Sequence, residues 1–322
     1  MNEFAGLPCS TASAQVPLPG TATGVGGWLC VEHPGAWGRD VLGDEVLGPR
    51  ITAELAARTS AAKVRPTLIR RPGRHEFTGA RTVLLAASHP VGAWCERLRI
   101  DDLDELLDID LSVCHGPPPG LGEPVTEAPV LVCAHGKRDR CCARLGRPIA
   151  ASLAAAHPGR VWECSHTGGH RFAPAMVLLP SGLTYGRVDV ESAAAAVEAA
   201  DRGAVSTAGL RGRSGHTPLE QVAELAVRER ISAGLDDLTV ETEPDEPAVR
   251  RAAAREERDL DRAGRAGAGY AGAAVVTHRD GRRWRVTARS VAHAPRQASC
   301  AAAPKPVTAL VADSVAEVPV RN

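Results

Sequence analysis

Two thiols and two imidazoles stand close together near the middle of this chain. Cys133 and Cys142 lie in VCAHGKRDRCCARLGRP (Val132 to Pro148), and His166 and His170 in WECSHTGGHRFAPAMVLLP (Trp162 to Pro180). Thiolates are soft donors that favour iron-sulfur clusters or zinc, while neutral imidazole suits iron, zinc or copper. The eight residues between Cys133 and Cys142 are too many for the tight knuckle of a zinc finger and enough for a loop around a larger object, such as a diiron cluster. Between the histidines, Gly168 and Gly169 argue for a loop with close backbone approach, although an i, i+4 pair on a helix would also converge. Ligand chemistry alone leaves a 2Fe-2S cluster and a tetrahedral zinc ion both open.

The neighbours of these four residues have competing readings. Cys141 adjoins Cys142 and could replace it as a donor, and Cys164, on a strand before His166, reads as core. His135, inside the cysteine loop, suits a hydrogen bond to backbone better than ligation. Arg138, Arg140, Arg144, Arg147 and Arg171 form either a solvated basic face or a docking patch for an acidic redox partner. Asp139 is placed to pair with one of these arginines and fix the loop. Cys30, Cys95, Cys114, His33 and His89 have no partner at ligand spacing and read as structural, whereas Cys300 in RQASCAAAP suggests an exposed thiol.

The elements that must position these groups alternate between strand and helix. Trp28 to His33, Val64 to Arg70 and Thr82 to Ala87 read as strands and Glu45 to Ala62 as a helix. After the Pro/Gly-rich HGPPPGLGEP, Pro129 to Cys133 forms a strand leading into the cysteine motif, and a helix is expected from Pro148 to the His157-Pro158-Gly159 stop. Arg160 to Cys164 and Ala175 to Leu179 are strands flanking the histidines; Glu191 to Ala200 and Pro218 to Ile231 are helices. Thr239 to Glu243 reads as an edge strand, Ala248 to Arg265 as an exposed charged helix, and Ala273 to His278 with Arg283 to Ser290 as a hairpin around Asp280-Gly281. This divides the chain into an irregular lead-in (1–27), an α/β unit (28–125), the unit carrying the motifs (126–245), a helix and hairpin extension (246–291) and a mobile tail (292–322). No internal repeat is convincing.

Composition narrows the function. Lysine plus arginine and aspartate plus glutamate balance at 38 each, so the broad positive field of a general nucleic-acid binder is missing. No run approaches the length of a membrane span, and the start lacks a secretory signal, so the expected location is the cytoplasm. Nine cysteines, an odd number, suit metal or redox chemistry in a reducing compartment better than a disulfide frame.

Trp28 to about Gly215 resembles the sucrase/ferredoxin-like family, related to thioredoxin-like 2Fe-2S ferredoxins. The resemblance rests on WLCVEHPGAWGRD (Trp28 to Asp40), LIRRPGRH (Leu68 to His75), CAHGKRDRCCARLGRP, SHTGGHRFAP (Ser165 to Pro174), LPSGLTYGRVD (Leu179 to Asp189) and LRGRSG (Leu210 to Gly215). In the family's cluster-bearing members the outer cysteines of C-x8-C and both histidines of H-x3-H are the ligands. The resemblance thus implies a 2Fe-2S cluster on Cys133, Cys142, His166 and His170, although Ala134 stands where the family has Thr. It also implies an α/β fold whose thioredoxin-like ferredoxin unit is preceded by a packed α/β unit and followed by a C-terminal extension. The expected role is an electron carrier rather than a stand-alone catalyst, served by a redox partner protein such as an NAD(P)H-dependent reductase. A structural zinc protein using the same donors is the first alternative. A thiol-disulfide oxidoreductase is weakened by the absence of a C-x-x-C pair, and no pair of carboxylates supports sucrose cleavage.

Overall fold

The computed structural model describes residues 4, 6–73, 77, 79–244 and 268–319. After a short helix, α1 (Cys9–Ala12), the chain enters strand β1 (Gly27–Glu32), which is apolar up to its last residue and buried on both faces. Leu29 and Val31 pack in one core with Leu55 of helix α2 (Pro49–Ala61), while Trp28 and Cys30 point to the opposite core, which also holds Cys133 and Cys142. Pro49 starts α2 at a position where its missing N–H costs nothing. Strand β2 (Val64–Arg70) returns parallel to β1, and β3 (Arg81–Ala87) and β4 (Trp94–Ile100) follow antiparallel, with the two-residue β5 (Glu123–Pro124) at the edge.

The same order of elements then recurs. Strand β6 (Val130–Cys133), helix α3 (Arg140–Ala156) and strand β7 (Val161–Cys164) form a second parallel crossover, followed by antiparallel β8 (Ala175–Leu178) and β9 (Leu183–Gly186). Helix α4 (Val190–Asp201) leads to β10 (Leu210–Arg213), and helix α5 (Pro218–Arg228) follows. The strands make one ten-stranded curled sheet in the order β10-β9-β8-β6-β7-β2-β1-β3-β4-β5. The halves meet where β2 and β7 pair antiparallel, Ile69 opposite Cys164 and Arg70 opposite Glu163, with an Arg70–Glu163 ion pair of 2.8 Å at the seam.

Strands β11 (Leu238–Thr242), β12 (Ala268–His278), β13 (Arg283–Gln297) and β14 (Pro304–Val318) form a separate antiparallel sheet in chain order. Ala223, Ala226 and Val227 of α5 pack on it against Ala274, Val276, Trp284 and Val286. Among the described residues no helix is long and apolar enough to cross a membrane.

Several expectations change. The helix expected at Pro148 begins at Arg140, because Asp139 caps it by accepting the Cys141 N–H at 2.8 Å; Pro148 lies inside the helix. The segment beyond Ala292 carries the end of β13 and the whole of β14, whose Val307 and Ala309 are buried, instead of a mobile tail. The lead-in, expected outside the core, contributes buried Cys9, Ala12, Val16 and Val25. Strands β4, β9 and β10 escape the sequence reading: in WCERLRI and LRGR charged residues interrupt the apolar pattern, and LTYG is short. The recurring strand order is a repeat of architecture that the residues do not show. The charged helix expected over 248–265 lies outside the described residues.

Candidate metal centre

Cys133 is the last residue of β6, delivered to the end of the sheet by a fully buried apolar strand. Helix α3 comes close to it because residue 146 is glycine, where a Cβ would run into the Cys133 carbonyl. Between them a short loop turns on His135, whose carbonyl accepts the Asp139 N–H at 3.0 Å. Cys142 then sits in the first turn of α3.

The histidines come from the neighbouring strand end. After β7, Ser165 is tied to Leu68 of β2 through its N–H at 2.7 Å and its hydroxyl at 2.9 Å. The His166 N–H then donates to His135 Nδ1 at 3.2 Å, leaving Nε2 of His135 to donate to the Gly38 carbonyl at 2.9 Å. His135 is therefore a backbone-bonded brace, as its position in the loop suggested. Arg65 adds a hydrogen bond to the His166 carbonyl at 2.6 Å. Gly168 and Gly169 both have positive φ, 98° and 74°, and side chains there would collide with Thr23 and Arg211. Fully buried Arg211 donates to the Gly168 carbonyl at 3.2 Å and to Thr21, and its guanidinium lies 5.0 Å from the Phe172 ring centre. The short helical turn His170–Phe172 closes the segment.

The donor atoms of Cys133, Cys142 and His166 lie within 4.8 Å of one another. His170 is outside that threesome but stacks on His166, ring centres 3.9 Å apart and planes 13° from parallel. Nδ1 of His166 and Nδ1 of His170 are both buried without a hydrogen-bond partner. Such atoms are costly unless something else satisfies them. The hydrogen bond from Cys142, with the His166 ring beside it, holds the Cys133 thiol well below its usual range, while the same bond to Cys133 and burial push Cys142 up. Burial and the adjacent His166 lower His170 to about 4, keeping its ring neutral and able to coordinate near neutral pH. The arrangement is a candidate metal site: paired sulfurs beside paired imidazoles, each imidazole with its Nδ1 unpartnered.

Cys142, not Cys141, is the thiol that sits with Cys133. Cys141 turns the other way, accepting from the Ser10 hydroxyl at 3.4 Å and lying 3.3 Å from the Cys300 sulfur. Cys300, expected as an exposed thiol, is half-buried there, and Cys9 completes the group. Among the described residues no arginine pairs with Asp139; its carboxylate accepts the N–H groups of Cys141 and Cys300, each at 2.8 Å. Cys164 is fully buried core beside Cys30. Arg138 lies 3.6 Å from Asp40, Arg140, Arg144 and Arg147 are exposed, and Arg171 lies 4.9 Å from the Phe172 ring centre. A cavity of about 540 Å³, whose lining includes Arg39, Lys63, Arg65, Arg138 and His135, opens onto His166.

Residues 18–212 match the model of the sucrase/ferredoxin-like family. The chain belongs to this family. Cys133, Cys142, His166, His170 and Arg211 fall inside the matched residues, whereas Cys9 and Cys300 fall outside them. No curated protein and no solved structure matches the chain. Sequence reasoning missed Cys9 and Cys300, which sit 130 and 159 residues from their contacts and carry no motif. Arg211 had a signal, its place in LRGRSG, and Arg65 had none.

Proposed function

We propose that this sucrase/ferredoxin-like protein is an electron carrier in which Cys133, Cys142, His166 and His170 hold a 2Fe-2S cluster. What carries the reading is the pair of buried, unpartnered imidazole nitrogens beside a pair of mutually hydrogen-bonded thiols, two nitrogen and two sulfur donors in the C-x8-C and H-x3-H pattern on which the resemblance rests. The strand order β7-β6-β8-β9, with one parallel crossover and two antiparallel strands, fits a thioredoxin-like ferredoxin unit, and β2-β1-β3-β4 repeats it. Bound there, the cluster would supply one-electron transfer at the higher potentials of mixed cysteine and histidine ligation, roughly −150 to +300 mV. The protein's own part is to keep the His170 imidazole neutral, to fix the histidine loop through Gly168, Gly169 and Arg211, and to bury the sulfurs. The basic residues Arg39, Lys63 and Arg138 around the cavity at His166 suit an acidic docking partner, an NAD(P)H-dependent reductase being the chemical class that would supply electrons.

A single zinc ion is the second reading, and one observation favours it. Donor atoms of Cys133, Cys142 and His166 within 4.8 Å suit direct closure around one ion, and on compactness alone zinc fits better than a diiron core. Donor count does not separate the two, since a tetrahedral zinc would also take two sulfurs and two imidazoles; the C-x8-C and H-x3-H resemblance is what favours iron. Anaerobic purification with iron, sulfide and zinc quantification decides between them. Iron and sulfide in equal amounts, two of each per chain, with a red-brown colour support the cluster; a colourless protein holding zinc at these residues rejects it.

A further inference from the structure

Three of the seven cysteines outside that centre, Cys9, Cys141 and Cys300, are gathered on its flank. Cys9 belongs to α1, Cys141 to the first turn of α3, and Cys300 to the connection between β13 and β14. One donor atom from each, with a carboxylate oxygen of Asp139, lies within 4.8 Å of the others. The sulfur of Cys300 is 3.3 Å from that of Cys141 and 3.7 Å from that of Cys9, and Cys9 Sγ is 3.5 Å from Asp139 Oδ2. A tetrahedron of thiolates around zinc, with zinc-sulfur bonds of about 2.3 Å, has sulfur-sulfur edges of about 3.8 Å. The observed spacings are close to those edges.

We propose that Cys9, Cys141, Cys300 and Asp139 form a second metal site, for a single zinc-type divalent ion, separate from the Cys133/Cys142/His166 centre. The donor set is the soft and borderline one that such ions select, three sulfurs and one oxygen, with no water position required. Asp139 is already oriented: the backbone N–H groups of Cys141 and Cys300 hold one oxygen each, leaving lone pairs free on the side facing the sulfurs. Binding replaces the three thiol protons, which leave to solvent, by metal-sulfur bonds, so no oxidant is needed. Half-buried Cys300 gives the ion its entrance. The site ties α1 and the β13–β14 connection to the helix that carries Cys142, and it stands whichever metal the first centre holds.

The test measures zinc, iron and sulfide in the full-length protein and in Cys300→Ser, purified anaerobically under reducing conditions. The native chain is expected to carry one zinc that Cys300→Ser lacks, with iron, sulfide and visible spectrum unchanged between them. Equal zinc in both proteins overturns the proposal. So does iron lost in step with the substitution, which would assign these thiols to the iron centre, or a Cys141–Cys300 disulfide in the protein as isolated. Should Cys300→Ser fail to fold, the native protein is stripped with chelator, then alkylated with and without added zinc, and its peptides are mapped by mass spectrometry. Zinc must protect Cys9 and Cys300 together; alkylation of both at undiminished rate refutes the site.

Discussion

Gly168 and Gly169 set the path of the histidine loop more than any other residues in it. Each adopts a conformation that L side chains rarely take, and at each a Cβ would enter space held by Thr23 or Arg211. Gly169→Ala is expected to cost about 1–3 kcal/mol from backbone strain alone, read from the denaturant midpoint, and to lower metal content as the loop shifts. Arg211 acts through this loop without touching a donor. Arg211→Met keeps most of the buried volume but removes the hydrogen bonds to Gly168 and Thr21; metal retention should fall while circular dichroism in the far ultraviolet is preserved. The thiols and imidazoles of the candidate centre were legible in the chain because strand ends separated by one crossover put them within forty residues of each other. Arg211 was marked only by its place in LRGRSG, and Cys9 and Cys300 by nothing, since contacts at such sequence distances leave no local pattern.

At the scale of elements, α5 lays apolar side chains on the second sheet and is tied to β10 of the first by a buried charge cluster. Glu224 lies 3.0 Å from Arg213 of β10, 2.9 Å from Arg228 and 3.2 Å from His216, all nearly solvent-free. Burial by itself would raise the Glu224 carboxyl, but Arg213, a hydrogen bond from His216 and Arg228 hold it well below its ordinary value of 4.5. A carboxyl depressed on folding stabilises the fold above the unfolded value and loses that contribution as pH falls through the lower folded value. Stability should therefore decline as the medium is acidified below about 4.5, and Glu224→Gln should flatten that part of the profile. At neutral pH the substitution strands two buried guanidinium groups and is expected to cost about 3–5 kcal/mol in equilibrium unfolding. Helices α4 and α5 were readable from their apolar spacing, and α3 only in its second half. What hid its start was chemistry: Asp139 caps a turn whose cysteines read as a ligand loop.

The whole molecule is two similar βαβββ units sharing a seam, with a second sheet laid beside them by α5. That duplicated plan was invisible in the residues because strands buried in equivalent places need only similar hydropathy, not similar letters. The second sheet depends on its last strand: Val307 and Ala309 of β14 pack with Val16 and with Phe172 of the histidine segment. Deleting residues 304–322 should leave β13 as a long unpaired edge, and the truncated protein is expected to self-associate, as light scattering would show. A consequence follows from Cys9 and Cys300 meeting across Asp139. Because 291 residues separate the two along the chain, a ribosome must finish that whole stretch before they can meet, so this corner stays open while both sheets are being made.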